Sequence, residues 1–329
     1  MARLIGLFLV LAAAFSGYWF FATRVLTQAI EGAAADARTS GWQVSYDTVA
    51  TTGFPGTFDL NIAAADIRAS DRKWRWQAPQ FQLNAPAIHP TRLRATFPDT
   101  QTLQVGPQTL SIQSDLFTVE ASTRMNAALS FDRAALDLEN GRFVSDLGWD
   151  AGIARVTALI TQNPTADRSY DIDFKGQDVT LPAAMFDQLA PDLDVADRID
   201  NVTFDGMVTL DRALDRFVID TGTEPVLERI DLISFKITWG DITILATGDV
   251  DIDAEGVPEG RLTITTAQWS ETLDLLVGAD IIDERFAPTL TNIARGSVDS
   301  DGLLTLPLTM RDGFMTMGIL PLGPVPRLH

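Results

Sequence analysis

The sequence runs to 329 residues with a formal charge of −19, from 44 acidic against 25 basic residues, and it holds two histidines and no cysteine. Such an excess of acid repels phosphate backbones, which argues against nucleic-acid binding and against adhesion to an anionic membrane through a basic patch. The lack of cysteine excludes a disulfide framework and any thiolate metal site, so cohesion has to come from packing and backbone pairing.

The chain starts with an apolar stretch. No charged side chain falls between Arg3 and Arg24, and the run Leu4 to Ala22 matches the roughly 20 residues that cross a bilayer. Ala12-Ala13-Ala14 resembles a signal-peptide cleavage site, but Phe15, Tyr18, Trp19, Phe20 and Phe21 carry the apolar run past it, which suits an uncleaved signal anchor better. Tyr18 and Trp19 are residue types of the membrane-water interface, and Arg24 closes the run. The flanking charges are nearly balanced, so the orientation follows from export of the large C-terminal portion. The expectation is a cytoplasmic end and N-terminal transmembrane helix in residues 1–24, held in the inner membrane, with the body in the periplasm.

Next, Val25, Leu26, Ala29, Ile30, Ala33, Ala34 and Ala37 keep the spacing of one helical face, and Gly41 is a stop signal. The spacing predicts a helical stalk over 25–40 with Gly32 as its weak point, its face either docked on the body or offered to a partner. From Trp42 the period changes to two. Trp42 to Tyr46 alternates, Gly53-Phe54-Pro55-Gly56 is a turn, and Phe58, Leu60 and Ile62 alternate with polar neighbours. The same one-sidedness recurs at Trp74/Trp76, Phe81/Leu83, Leu93/Ala95/Phe97, Val119/Ala121 and Met125/Ala127/Leu129/Phe131. Prolines from Pro79 to Pro107 stand at strand ends, and Gly141, Gly148 and Gly152 interrupt the pattern.

Strands resume from Ile153 through Tyr170–Phe174, a short helix with proline in its first turn is predicted over 181–190, and Val202, Phe204, Val208 and Leu210 form another one-sided strand. Phe235–Trp239 and Ile242–Ala246, separated by Gly240-Asp241, read as a two-residue hairpin. Val250–Ile252 and Leu262–Ile264 follow, then helical patterns over 270–277 and 283–294, then strands at Leu304–Leu306 and Met315–Met317 around Asp312-Gly313. The proline-rich tail 321–326 is expected to end regular structure. Residues 41–329 are thus predicted as a mainly β body: a long, curled, mostly antiparallel sheet with a few short helices, since alternating strands require one buried face. It is either one continuous sheet or subdivided near 181–200.

No constellation carries catalysis. His89 sits beside Pro90 in a loop and His329 ends the chain, which leaves no histidine triad or His-rich metal site, and neither a nucleophile elbow nor a phosphate loop is present. Acids are plentiful, but no pair stands out for glycoside chemistry. Asp251, Asp253, Glu255, Gly256 and Glu259 occupy the first, third, fifth, sixth and ninth places of a calcium loop, but Leu262 stands where the twelfth-place Glu is required. Their alternation with Val250 and Ile252 reads instead as a strand with a solvated acidic face. Trp42, Trp74, Trp76, Trp149, Trp239 and Trp269 are read as core rather than as the lining of a ligand groove. The sequence therefore assigns no enzyme activity, no catalytic, cofactor or metal residue and no cofactor, and leaves the ligand-binding residues unknown.

The apolar start, Gly41-Trp42, Gly53-Phe54-Pro55-Gly56, and the ending Asp312-Gly313 with Gly318 to Arg327 together resemble the bacterial domain of unknown function 2125 family. These motifs are structural, so the resemblance implies architecture and location without a reaction. More distantly, the anchor and one-sided strands are similar to the AsmA-like envelope proteins, which implies a curled sheet whose apolar inner face holds acyl chains. Two functions follow: a membrane-anchored periplasmic module with a groove for lipid or another hydrophobic ligand, or a structural module of the cell envelope that binds protein partners.

Overall fold

The period-two pattern is realised as strand. In the computed structural model 54% of residues are in strands and 19% in helices, so the protein is mainly β. The structure describes residues 2–189, 195–221, 224–279, 282, 284–318 and 320–328, with the side chains of 2–15, 29, 219–221 and 320 outside the description. The chain forms two compact units, Met1–Ser122 with Phe143–Gly148, and Thr123–Arg142 with Trp149–His329. The described residues of the stretch 181–200 lie inside the second.

In the first unit, helix α1 (Ala2–Thr39) runs unbroken through Gly32. It ends as Gly41 predicts: Gly41 has φ 89°, its N–H reaches the Arg38 carbonyl, and the Trp42 N–H reaches that of Ala37. This pair of bonds around a left-handed residue satisfies carbonyls that the helix end would otherwise leave open. The strands are β1 (Gln43–Ser45), β2 (Thr48–Thr52), β3 (Thr57–Arg68), β4 (Trp74–Pro86), β5 (Arg92–Thr96), β6 (Thr100–Val105), β7 (Gln108–Gln113), β8 (Leu116–Thr123) and the end of β9 (Phe131–Ser145). Strand β3 is central, pairing antiparallel with β1, β2 and β4.

The first unit's sheet carries α1, whose residues 25–39 are helical and lie along that sheet. Trp19, Ala22, Leu26 and Ile30, spaced on one helical face, pack on Phe58, Leu60, Ala85 and Ala87. Val25, expected on that face, is exposed. Trp19 stacks on Phe58 at 5.8 Å and donates from Nε1 to the Thr57 carbonyl at 2.9 Å, and the Tyr18 hydroxyl donates to the Ala87 carbonyl at 3.1 Å. The expected membrane span therefore gains no support in its second half: Tyr18, Trp19 and Ala22 are committed to the sheet rather than to an interface. Among the described residues no helix is long and apolar enough to cross a membrane. The side chains of residues 4–15 of the expected span lie outside the described residues.

The second unit contains the start of β9, then β10 (Asp150–Gln162), β11 (Ser169–Thr180), β12 (Arg198–Leu210), β13 (Leu227–Trp239), β14 (Ile242–Ile252), β15 (Pro258–Thr266), β16 (Leu304–Arg311), β17 (Phe314–Met317) and β18 (Leu320–Pro324). From β10 to β18 each strand pairs antiparallel with the next in sequence. Helices α2 (Ala183–Leu189), α3 (Arg216–Thr221), α4 (Trp269–Gly278) and α5 (Ala287–Ser297) interrupt the series. The Gly240-Asp241 hairpin joins β13 to β14, with Trp239 opposite Ile242. Gly248 is required where β14 and β15 approach: at φ 143°, a Cβ there would lie 2.1 Å from the Arg261 carbonyl oxygen.

Three expectations are corrected. The tail does not stop regular structure, because Leu320–Pro324 pairs with β17, where Thr316 faces Pro321 and Phe314 faces Pro324; β18 closes the series, and proline is tolerated where no further strand needs its N–H. Met125 to Leu129 is not strand but a loop, closed by the Arg124 N–H on the Ser130 carbonyl and by Asn126 Oδ1 accepting from the Ser130 N–H. Gly141 and Gly152 lie inside β9 and β10 instead of breaking them.

Two measurements test the first unit. Trp19→Ala removes a side chain that is 5% exposed and is expected to cost about 3–5 kcal/mol, read as a lower urea midpoint. Asp66 accepts from Arg75 Nε at 2.8 Å, and this hydrogen bond leads the causes that hold its carboxyl below the ordinary 3.8. A carboxyl lowered on folding adds stability above its unfolded pKa and loses it as pH falls through the folded one. The stability gap between the native chain and Asp66→Asn is therefore expected to be full at neutral pH and to close on acidification below 3.8; a gap independent of pH contradicts this.

Candidate functional site: an apolar sheet face and its end pocket

Because side chains alternate along a strand, in-register pairing carries one face across every strand of the second unit. Phe174 faces Ala158 on one side and Phe204 on the other, and Phe204 faces Phe235. The row continues from Phe235 through Ala246 and Ile264 to Leu306. A parallel row begins Ile160, Ile172, Gly206. The opposite face of the same strands carries Asp171, Asp173, Lys175 and Asp205.

Helices cover only part of the apolar face. Leu273 of α4 and Leu290 of α5 are buried with Ile264, Leu308 and Met317, and with Leu322 of β18. Trp239, Ile242 and Leu275 form a second buried group against Phe186 of α2, and Trp239 Nε1 donates to the Ala196 carbonyl at 2.6 Å. Toward β10 the burial falls off. Phe174, Phe204 and Phe235 are half-buried, and the cluster around α4 and α5 draws its strand residues from β14 to β18. Three rings in a row are thus left incompletely covered. The rings of Phe174 and Phe204 lie over Gly176 and Gly206, where a side chain would meet them.

At the Tyr170 end of this face is an apolar cavity of about 320 Å³ lined by Thr123, Leu129, Phe131, Leu214, Asp215, Arg216 and Val218. The loop 124–130 and the segment before α3 are joined by backbone bonds: the Phe131 N–H donates to the Leu214 carbonyl at 2.8 Å, and the Arg216 N–H to that of Ala128 at 3.0 Å. Phe131 meets the Tyr170 ring edge-on at 5.6 Å, which puts the cavity on the Tyr170 side of the sheet. Tyr170 is 1% exposed and its hydroxyl oxygen accepts from the Leu214 N–H at 2.6 Å. Burial pushes its phenol up, with Asp215 and Asp167 adding to the shift, so the group stays neutral. Asp215 Oδ1 caps α3 by accepting from the Phe217 N–H, while the exposed Arg216 guanidinium lies over the Phe217 ring at the rim. The hollow is open to solvent, with apolar walls and with Asp215 and Arg216 both at its edge, and it suits the apolar part of an amphiphile.

The leads from sequence end elsewhere. Asp251 is spent on Arg229, which also binds Asp231 and Asp249. Asp253 Oδ1 closes its own turn on the Glu255 and Val257 N–H groups. Glu259 accepts from the Asp312 N–H at 3.4 Å. Among the described residues no group of His, Cys, Asp or Glu is arranged to hold a metal ion. Trp42 packs edge-on against Trp74, and Trp76 donates to Gln101 Oε1 at 2.6 Å, so these act in packing. His89 is an exposed loop residue, and His329 lies outside the described residues. The pocket residues went unrecognised because Leu129 and Phe131 were assigned to one strand. The signal that would have found them is Asp211-Arg212-Ala213-Leu214-Asp215-Arg216-Phe217, which mixes charge and apolar residues without either period.

The molecule is thus an antiparallel β protein with a one-sided apolar face that leads to an apolar pocket. A family model described as "Uncharacterized protein conserved in bacteria (DUF2125)" matches residues 19–326, and the chain belongs to that family. Searches among curated proteins and among solved structures return no match, so the likeness to AsmA-like proteins gains no support from them.

Tyr170→Phe leaves the Leu214 N–H without its acceptor and is expected to cost about 1–3 kcal/mol with a loosened 211–218 segment. The check is hydrogen exchange at the Leu214 amide, which should quicken selectively.

Proposed function

We propose that this protein binds an acyl chain or similar hydrophobic ligand on the apolar face of its second unit, as a membrane-anchored handler of envelope lipid and not as an enzyme. The observation that carries the reading is the half-buried row Phe174, Phe204, Phe235 on the same side of the sheet as the Leu129–Phe131–Leu214 cavity. A ligand on that row removes apolar area from water at about 25 cal/mol per Å², and the acidic opposite face keeps the sheet soluble. The uncharged run Leu4 to Gly17, ahead of the docked Tyr18, supports anchoring to the inner membrane with the body in the periplasm, and a curled sheet is the shape that would enclose the ligand.

The test is native mass spectrometry and lipid extraction of the full chain in mild detergent, with titration of a fluorescent fatty acid. Copurified lipid and saturable probe binding are expected. Leu129→Asp, which charges the pocket wall, should weaken the probe about tenfold or more, while Asp173→Asn on the opposite face should leave it unchanged. A chain that carries no lipid and binds no probe contradicts the reading, and crosslinks to envelope proteins would then favour the scaffold alternative.

A further inference from the structure

We propose that the first unit seats directly on a lipid bilayer through an apolar collar beside α1, formed by Phe20, Phe21, Phe54 and Ile88. These side chains are 64%, 70%, 50% and 71% exposed. They gather where α1 meets one end of the β3–β4 pair: Phe20 stacks on Phe54 at 5.9 Å, Tyr18 donates to the carbonyl of Ala87, the neighbour of Ile88, and the Ala87 N–H bonds the Gly56 carbonyl, which sets the two loops side by side. Two of the four belong to the helix and two to loops between strands, so the sheet unit itself contributes to the surface.

The occupant follows from what precedes the collar on the same helix. Backbone α1 is continuous from Ala2, and no charge falls between Arg3 and Arg24. Because Tyr18 and Trp19 are bonded to the body, the free apolar run is Leu4 to Gly17, about 21 Å at 1.5 Å per residue and short of the roughly 30 Å hydrocarbon core. Inserting a run of that length brings the collar to the interface, where large apolar side chains are favoured. Exposed Arg24, one turn beyond Phe20, then reaches headgroup phosphates. The body is held flush with the lipid and not on a spacer, since Leu26, Ile30 and Ala34 are already packed on the sheet or buried.

This inference rests on the membrane anchoring proposed above and not on the ligand-binding face. The absence of cysteine lets single nitroxide labels be placed on the full chain at Phe21→Cys, Ile88→Cys and Asp71→Cys. Asp71 lies at the other end of α1, next to Ser70, which Gly41 approaches. The labelled chains are reconstituted with vesicles of phosphatidylethanolamine and phosphatidylglycerol. Labels at 21 and 88 should collide mainly with oxygen, and the label at 71 with an aqueous nickel chelate. Replacing both Phe21 and Ile88 by Asp should weaken vesicle partition about tenfold or more. Chains that float with vesicles yet report an aqueous environment at 21 and 88 overturn the collar alone. Chains that do not float overturn the collar and the anchoring together.

Discussion

Antiparallel pairing of sequence neighbours is the constraint on which the second unit depends. Each backbone N–H and C=O that leaves water needs a partner, and a chain that turns back on itself supplies one at each step from β10 to β18. The pairing then fixes chemistry as well as shape. Once Phe174 stands opposite Phe204, period two puts Tyr170, Ile172, Val202 and Val208 on that side and Asp171, Asp173 and Asp205 on the other. A one-residue slip would expose the whole set. The bulges recorded between Asp205 and Gly206 and around Leu232 are accommodated without losing that order, because Gly206 fits where a side chain would lie 2.7 Å from the Asp231 carbonyl oxygen.

The first unit depends on a different interaction, the docking of one helix on the β3–β4 pair through Trp19. Its ring fills the space over Phe58, and its N–H answers the Thr57 carbonyl, so one residue supplies both apolar burial and the satisfaction of a backbone acceptor. This commitment changes how the apolar start of the chain acts: a segment that reads as a uniform run is divided at Tyr18 into a free part and a docked part.

The strands were widely legible because alternation is a local property written in each one, as at Phe235–Trp239 and Ile242–Ala246. The helix stop at Gly41 was legible for the same reason, since left-handed backbone selects glycine. The loop at Met125 to Leu129 was not. Its residues alternate like a strand, but the hydrogen bonds of Asn126 and Arg124 close them into a turn, and this decision lies in side-chain bonding that no period records. The tail was misread in the opposite direction, because proline forbids a central strand but not the last one in a series.

The sequence by itself determined the class of the protein: mainly β, one-sided, acidic outside, with an apolar start and no residues for thiolate or histidine chemistry. Composition and period are sums over the chain and need no fold to be read. Only the tertiary structure decided which apolar residues remain available. Ile264 and Phe204 look alike in sequence and share one row, yet Ile264 is buried with α4 and α5 while Phe204 is left half-buried, because coverage depends on which strands the helices reach. The pocket likewise exists only because backbone pairing joins Phe131 to Leu214 across 83 residues of chain, a closeness that strand period alone cannot encode.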